Sequence, residues 1–252
     1  MEIALNENER IDDLGRRGYR IIQNKEKFCF GVDAALLAWF SEVKPGDRVL
    51  DLGTGTGIVP ILMDARNACG DYTALEIQED MVEMAGRSVA MNQAEDHIRI
   101  EVGDIKTAST QFGKGKFNVI TSNPPYKKAG TGIPNPDYAK AIARHEVLCT
   151  LEDVVREAAA LLTSGGHFYM VHRPDRLPEI FRCFETYHIA PEKLISVHPY
   201  KDREATMILI SGVAGRQAMF HVEEPIILYE RENEYTEQVK RIYDDDYRNG
   251  VK

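Results

Sequence analysis

At 252 residues with 43% hydrophobic side chains, the chain is long enough to bury one large core. A formal charge of minus 9 argues against a generally basic nucleic-acid binder. Four scattered cysteines without a C-x-x-C pair indicate neither a zinc site nor a disulfide framework, and no apolar run approaches the length of a membrane span. The expected setting is a reducing cytoplasm, with no charged-then-apolar leader, no membrane partner and no metal.

The first segment carries Arg16, Arg17, Arg20, Lys25 and Lys27, cations that either track phosphates or form an ordinary solvated face. Residues 19–22 and 28–30 read as the strands of a short hairpin. Asp33 reads as the cap of an apolar helix over 34–40, and Phe28, Phe30 and Trp39 fit core packing better than substrate contact.

From residue 48 onward strand and helix alternate. Strands are expected at 48–52, 72–76, 97–102, 117–121, 165–172, 192–198 and 205–212, and helices at 57–66, 79–92, 151–162 and 175–187. That order makes an α/β fold of the Rossmann-like kind, a mostly parallel seven-stranded sheet with helices on both faces. The C-terminal part predicts a strand over 225–228 and an acidic helix over 235–247. Residues 223–247 hold nine acids and three bases, a local minus 6 that leaves minus 3 for everything else.

The first strand runs into Asp51-Leu52-Gly53-Thr54-Gly55-Thr56-Gly57. Glycines let a backbone turn tightly and approach a ligand closely, as in nucleotide-binding βα turns. The spacing is G-x-G-x-G and differs from the dinucleotide pattern G-x-G-x-x-G. Asp51, two residues before the first glycine, would repel a pyrophosphate and suits a cation. Glu76 ends the next apolar run, roughly 20 residues after the glycines, where an acid can hold both ribose hydroxyls. A ribonucleoside with positive charge and no phosphate fits, and S-adenosylmethionine (SAM) answers that description. Asp104, after the strand at 97–102, is placed either to accept from the adenine amino group or to cap the next turn.

The strand at 117–121 leads to Asn123-Pro124-Pro125-Tyr126. Prolines fix φ and donate no N–H, so a backbone carbonyl beside them stays available as an acceptor, and the Asn123 side-chain oxygen supplies a second. Two acceptors facing one amine localise its lone pair, and Tyr126 offers a face for a planar base, worth roughly 1–3 kcal/mol. The bland reading is a proline-rich turn after a strand. Lys127 and Lys128 follow directly and Arg173 and Arg176 follow a later strand, all candidate phosphate contacts. Residues 127–137, with two glycines and two prolines, are the expected mobile loop.

Over about residues 45–212 the chain resembles the class I SAM-dependent methyltransferases, and among them the amino-methylating group with an Asn/Asp-Pro-Pro-aromatic signature. Two further stretches, Phe28-Cys29-Phe30-Gly31-Val32-Asp33 and Ala143-Arg144-His145-Glu146, resemble the bacterial family that methylates adenine N6 at position 37 of a valine tRNA. The resemblance implies Asn123, Pro124 and Tyr126 as catalytic, and Asp33, Asp51, Gly53, Gly55, Gly57, Glu76 and Asp104 as cofactor-binding. It places Lys127, Lys128, Arg144 and His145 on the substrate side, the last two equally readable as a charged helix end. It further implies a tRNA partner met at the anticodon loop, antiparallel pairing of the last two strands, and one methyltransferase domain. In that domain residues 1–44 cover the cofactor, 45–212 form the catalytic core and 213–252 make an acidic extension. The same chemistry serves guanine N2, cytosine N4 or a release-factor glutamine, and a non-catalytic SAM-binding module is the third reading.

Overall fold

The computed structural model describes residues 4–26, 31–66, 69–124 and 149–243. Parallel strands β3 (Arg48–Leu52), β4 (Asp71–Glu76), β5 (Ile98–Val102), β6 (Phe117–Ser122) and β7 (Leu162–His172) form the body of the sheet. Beside β7 lies β9 (Met207–Ala214), antiparallel both to it and to β8 (Ile189–His198). Two short strands, β10 (His221–Val222) and β11 (Ile226–Ile227), then pair in parallel with β8, covering an edge that would otherwise expose open backbone groups. The order is β10-β8-β9-β7-β6-β3-β4-β5, with β11 also on β8. The seven long strands are those expected, and the two edge strands extend them to nine.

Among the strands, starts moved by three residues at two places and by less elsewhere, β9 being set two residues later than expected. β7 begins at Leu162 and not at 165, because Leu162 pairs with Phe117 before a bulge carries the strand past Gly165 and Gly166. β8 begins at Ile189 and not at 192, the missing N–H of Pro191 being absorbed by a bulge between Pro191 and Lys193.

Alternation along the strands divides the core into two layers. Val49, Val119, Tyr169 and Val171 face a layer built with α1 (Val32–Phe40) and α2 (Ile58–Arg66). Leu50, Ile120, Phe168 and Met170, their immediate neighbours in sequence, face α5 (Leu151–Leu161) and α6 (Leu177–Thr186). Thr150 starts α5 with a capping box, accepting from the Asp153 N–H at 3.1 Å while Asp153 accepts from the Thr150 N–H at 3.0 Å. Two further helices, α3 (Glu79–Met91) and the one-turn α4 (Ala108–Phe112), follow β4 and β5.

Of the hairpin expected between 19–22 and 28–30, only the first strand is among the described residues. β2 (Arg20–Asn24) pairs with β1 (Glu9–Asp13), Ile11 opposite Ile22, and 28–30 fall outside the described residues. The turn lies at Gly15–Gly18, where Gly15, Arg17 and Gly18 all take positive φ and the Asp13 carboxylate accepts from the Gly15 N–H. β1 reads as solvated because it is Glu-Arg-Ile-Asp-Asp. Its acid has a partner on α3: Arg87 holds Glu9 through two hydrogen bonds of 2.7 and 2.8 Å.

That pair lowers the Glu9 carboxyl below its ordinary range, the Arg87 hydrogen bonds being the main cause. A depressed acid stabilises the fold above its unfolded pKa and loses that contribution as pH falls. Arg87→Ala is therefore expected to lower stability by about 1–3 kcal/mol at pH 7 and by less at acid pH, read from urea midpoints across pH.

In the C-terminal part β11 stands where a strand is expected at 225–228. After β11, a small hairpin of β12 (Tyr229–Arg231) and β13 (Glu234–Tyr235) leads to α7 (Glu237–Tyr243), which starts where Thr236 Oγ1 accepts from the Val239 N–H at 3.2 Å. The described part of this helix carries one acid and two bases; Glu230, Glu232 and Glu234 lie before it, and the acids expected at 244–246 are outside the described residues. α7 packs on α1, and Arg16 donates to the Ile242 carbonyl, fastening the amino-terminal turn to it.

Candidate active site

The strand order reverses beside β3. From β3 the chain steps outward through β4 to β5, then returns to place β6 on the other flank, so a crevice opens at the carboxyl ends of β3 and β6. Open α/β sheets bind ligands at such a switch point. Asp51 and Leu52 lie opposite Thr121 and Ser122. Two side chains lock that junction: Thr121 Oγ1 donates to Asp51 Oδ1 at 2.6 Å, and Ser122 Oγ donates to the Leu52 carbonyl at 2.9 Å. Sequence reasoning passed over Thr121 and Ser122; two hydroxyls closing an apolar strand just before Asn-Pro were the available signal.

Asp51 is 2% exposed, and burial pushes its carboxyl up to about 6, against the Thr121 hydrogen bond and with Glu76 adding. The Thr54 hydroxyl opposes part of that shift but is buried without a hydrogen bond of ordinary geometry. A buried carboxylate raised above its ordinary range, with a weakly satisfied hydroxyl on the same turn, suits a cationic, hydroxyl-bearing ligand.

Gly53, Gly55 and Gly57 have φ of 75, 59 and 78°. At Gly57 a side chain would also press within 3.3 Å of Ala85 on α3, so glycine is required there for packing as well as turning. Beside Gly55 the space is open, with only the Met81 terminal methyl at 3.9 Å from a virtual Cβ.

Glu76 closes β4 and its carboxylate is fixed by backbone. Oε1 accepts from the N–H groups of Ile77 and Gln78, both at 3.0 Å, and Oε2 accepts from Gly55 at 2.9 Å. The acid is thus stapled to the glycine turn, as a ribose-holding carboxylate needs to be. Ile77 and Val102, 41 and 49% exposed, give bare apolar surface at the same edge of β4 and β5. Asp104 accepts from the Lys106 N–H at 2.9 Å and caps a 3₁₀ turn, so the capping role is realised. The residues present fit SAM.

Asn123 follows β6, with Pro124 buried behind it. Its Nδ2 donates to Asp33 Oδ2 at 3.1 Å. Asp33 is not the cap residue of α1. Gly31 holds that position, and Asp33 sits in the first turn, its Oδ1 accepting from the Ala34 N–H at 2.9 Å. Helix α1 therefore delivers a carboxylate to the motif from 90 residues away. Tyr126, Lys127, Lys128, Arg144, His145 and the loop at 127–137 lie outside the described residues.

His172 closes β7 at the same edge. It is 1% exposed, its Nδ1 accepts from the Arg173 N–H at 2.8 Å, and burial lowers it to about 4, so the imidazole is neutral. Two of the expected phosphate contacts are spoken for. Arg16 is buried on the Ile242 carbonyl, and Arg176, 7% exposed, makes two hydrogen bonds to Glu179. Arg17, Arg20 and Lys25 are exposed. Among the described residues there is no cluster of metal ligands and no helix long and apolar enough to cross a membrane.

Residues 25–188 match the family model described as the methyltransferase small domain. A protein of Porphyromonas gingivalis named tRNA1(Val) (adenine(37)-N6)-methyltransferase is 31% identical over 185 residues, 71% of this chain and 72% of that one. One of the same name from a Flavobacteriaceae bacterium is 25% identical over 229 residues, covering 91 and 92%. Among solved structures, one described as a predicted O-methyltransferase from Agrobacterium tumefaciens superposes with a TM-score of 0.69 over 84% of this chain and 96% of its own, at 23% identity. A geranyl diphosphate methyltransferase in complex with SAM gives 0.55 over 72 and 84%, at 18% identity. These two likenesses speak for the fold.

Proposed function

The chain belongs to the methyltransferase small domain family of SAM-dependent enzymes, and from that premise we propose that it methylates N6 of adenine 37 in the anticodon loop of a valine tRNA, in the cytoplasm. The observation that carries the reading is the meeting, at one switch-point crevice, of the Asp51, glycine-turn and Glu76 cradle with the amide of Asn123. Support for the base and the RNA comes from the relatives' names.

SAM supplies an electrophilic methyl. In this reading Glu76 takes the ribose hydroxyls, Asp51 faces the positive end, and Ile77 and Val102 give the adenine an apolar bed. Asn123 Oδ1 would accept a hydrogen bond from the target amine, leaving the lone pair directed at the methyl; the N–C bond would form as the S–C bond breaks, the thioether would leave, and the cationic amine would lose its proton to water. Such a reaction runs on alignment, which is worth effective molarities of about 10⁵–10⁸ M, and on fixed dipoles. An adenine in a loop leaves its stack at a cost of a few kcal/mol, less than one in a duplex. Arg17, Arg20, Lys25, Lys127 and Lys128 are the proposed phosphate contacts.

The test is methyl transfer from labelled SAM to total tRNA from a strain lacking this gene, followed by mass spectrometry of nucleosides and fragments. N6-methyladenosine at position 37 of one valine tRNA is the expected product. Label on ribosomal RNA, DNA or a release-factor glutamine instead would overturn the substrate and keep the chemistry.

A further inference from the structure

We propose that Asp33 is the positioning residue of the methyl-acceptor step: by accepting from Asn123 Nδ2 it turns the Asn123 carbonyl oxygen toward the substrate amine. This departs from the cofactor-binding role expected for Asp33, and it rests on Asn123 being the acceptor that grips the amine.

A primary amide has two ends of nearly the same shape and opposite hydrogen-bonding character, so its orientation is decided by its neighbours. A carboxylate offers acceptors only. With Asp33 Oδ2 at 3.1 Å from the Asn123 nitrogen, the flipped amide would set oxygen against oxygen, and the oxygen end is left facing away from α1. The carboxylate is itself fixed. Its other oxygen is tied to the Ala34 N–H, it is 7% exposed, and it stands on a helix whose Ala34, Leu36, Leu37 and Ala38 are at most 1% exposed. One oxygen thus holds the helix and the other holds the motif.

The arrangement also explains which acid or amide this chain accepts at position 123. The wider signature allows Asn or Asp there. Here an aspartate would bring two carboxylates together at hydrogen-bond distance, so Asp33 and Asn123 act as a matched acceptor and donor.

The experiment compares Asp33→Asn, Asn123→Asp and the double swap by kcat, KM for tRNA and Kd for SAM, with thermal melts as a check of folding. In Asp33→Asn the new amide keeps the Ala34 bond with its oxygen and points its nitrogen at Asn123, which must then flip and offer N–H groups to the amine. The loss of a hydrogen bond to a charged group predicts kcat about 10- to 100-fold lower, with SAM binding changed less than about 3-fold. In the double swap, the amide introduced on α1 donates to the carboxylate introduced after β6, whose second oxygen faces the amine, and kcat is expected to recover at least about tenfold over either single variant. A merely structural residue gives no such rescue.

Weakened SAM binding with unchanged kcat would return Asp33 to the cofactor and overturn the proposal. So would a folded double swap no better than the single variants. Asn123→Ala separates the two layers of argument: activity surviving that change would sink the reading of Asn123, whereas loss there with full activity in Asp33→Asn would sink only the role of Asp33.

Discussion

Asn123→Ala is expected to lower kcat by about 100- to 1,000-fold, the scale found when one fixed polar group is removed from a site of developing charge, while SAM binding stays within about 3-fold. The separation follows from placement. Asn123 leaves β6 on one side of the crevice, whereas Glu76 and the glycine turn are bonded to each other on the β3 and β4 side. The same change takes a hydrogen-bond donor from Asp33 Oδ2, so the melting point is expected to fall modestly as well. Single-turnover rates with saturating SAM, set beside calorimetric SAM titrations, check both halves. A loss of SAM affinity matching the loss of rate would move Asn123 from the acceptor to the cofactor.

Asp51→Asn is expected to do two opposite things. Burial holds the Asp51 carboxyl up at about 6, against 3.8 for a free one. Between those values the folded protein binds more protons than the unfolded chain, so this group makes the fold more stable as pH falls from 6 to 4, and its full penalty stands above 6. Removing the charge is therefore expected to stabilise the ligand-free protein by about 3 kcal/mol at pH 7 and by little at pH 4. The Thr121 hydroxyl keeps an acceptor in the new amide.

SAM binding is expected to weaken by about 10- to 100-fold in the same variant, since a charge-assisted contact is lost. The parent should bind SAM more weakly below pH 6. Denaturant melts of the two proteins across pH give the difference directly, which cancels opposite contributions such as that of Glu9. Equal melts at pH 7 would mean that Asp51 is not a strained charge.

Much of this was legible in the sequence, and the reasons are local. Residues 48–52 and 117–121 are apolar runs ending in a glycine turn and a proline motif, so strand, edge and ligand side all follow from short-range rules. The antiparallel pairing of the last two long strands came through the resemblance, and the order of the sheet did not. What escaped were features set by distant partners. β1 looks solvated until Arg87 meets Glu9 across 78 residues, and the pairing of Asp33 with Asn123 spans 90. Arg16 and Arg176 looked like free cations because nothing in a linear string reveals that the carbonyl of Ile242 or the carboxylate of Glu179 will take them up. Thr121 was read only as the tail of a strand, and Ser122 was passed over, because their partners, Asp51 and Leu52, lie 70 residues upstream.

The C-terminal part carries none of the motif residues, yet it stands beside them. Tyr200, Tyr229, Tyr235 and Tyr243 form a run of neighbouring rings 5.1 to 5.8 Å apart, and the last of them is close enough to Asp33 for that carboxylate to add to the effect of burial and Tyr235 in raising its phenol. Residues after 214 cover one side of α1 through α7 and the outer edge of β8 through β10 and β11. A frameshift near residue 225 is therefore expected to leave every motif residue in the product while removing the hairpin and α7, the wall that backs α1.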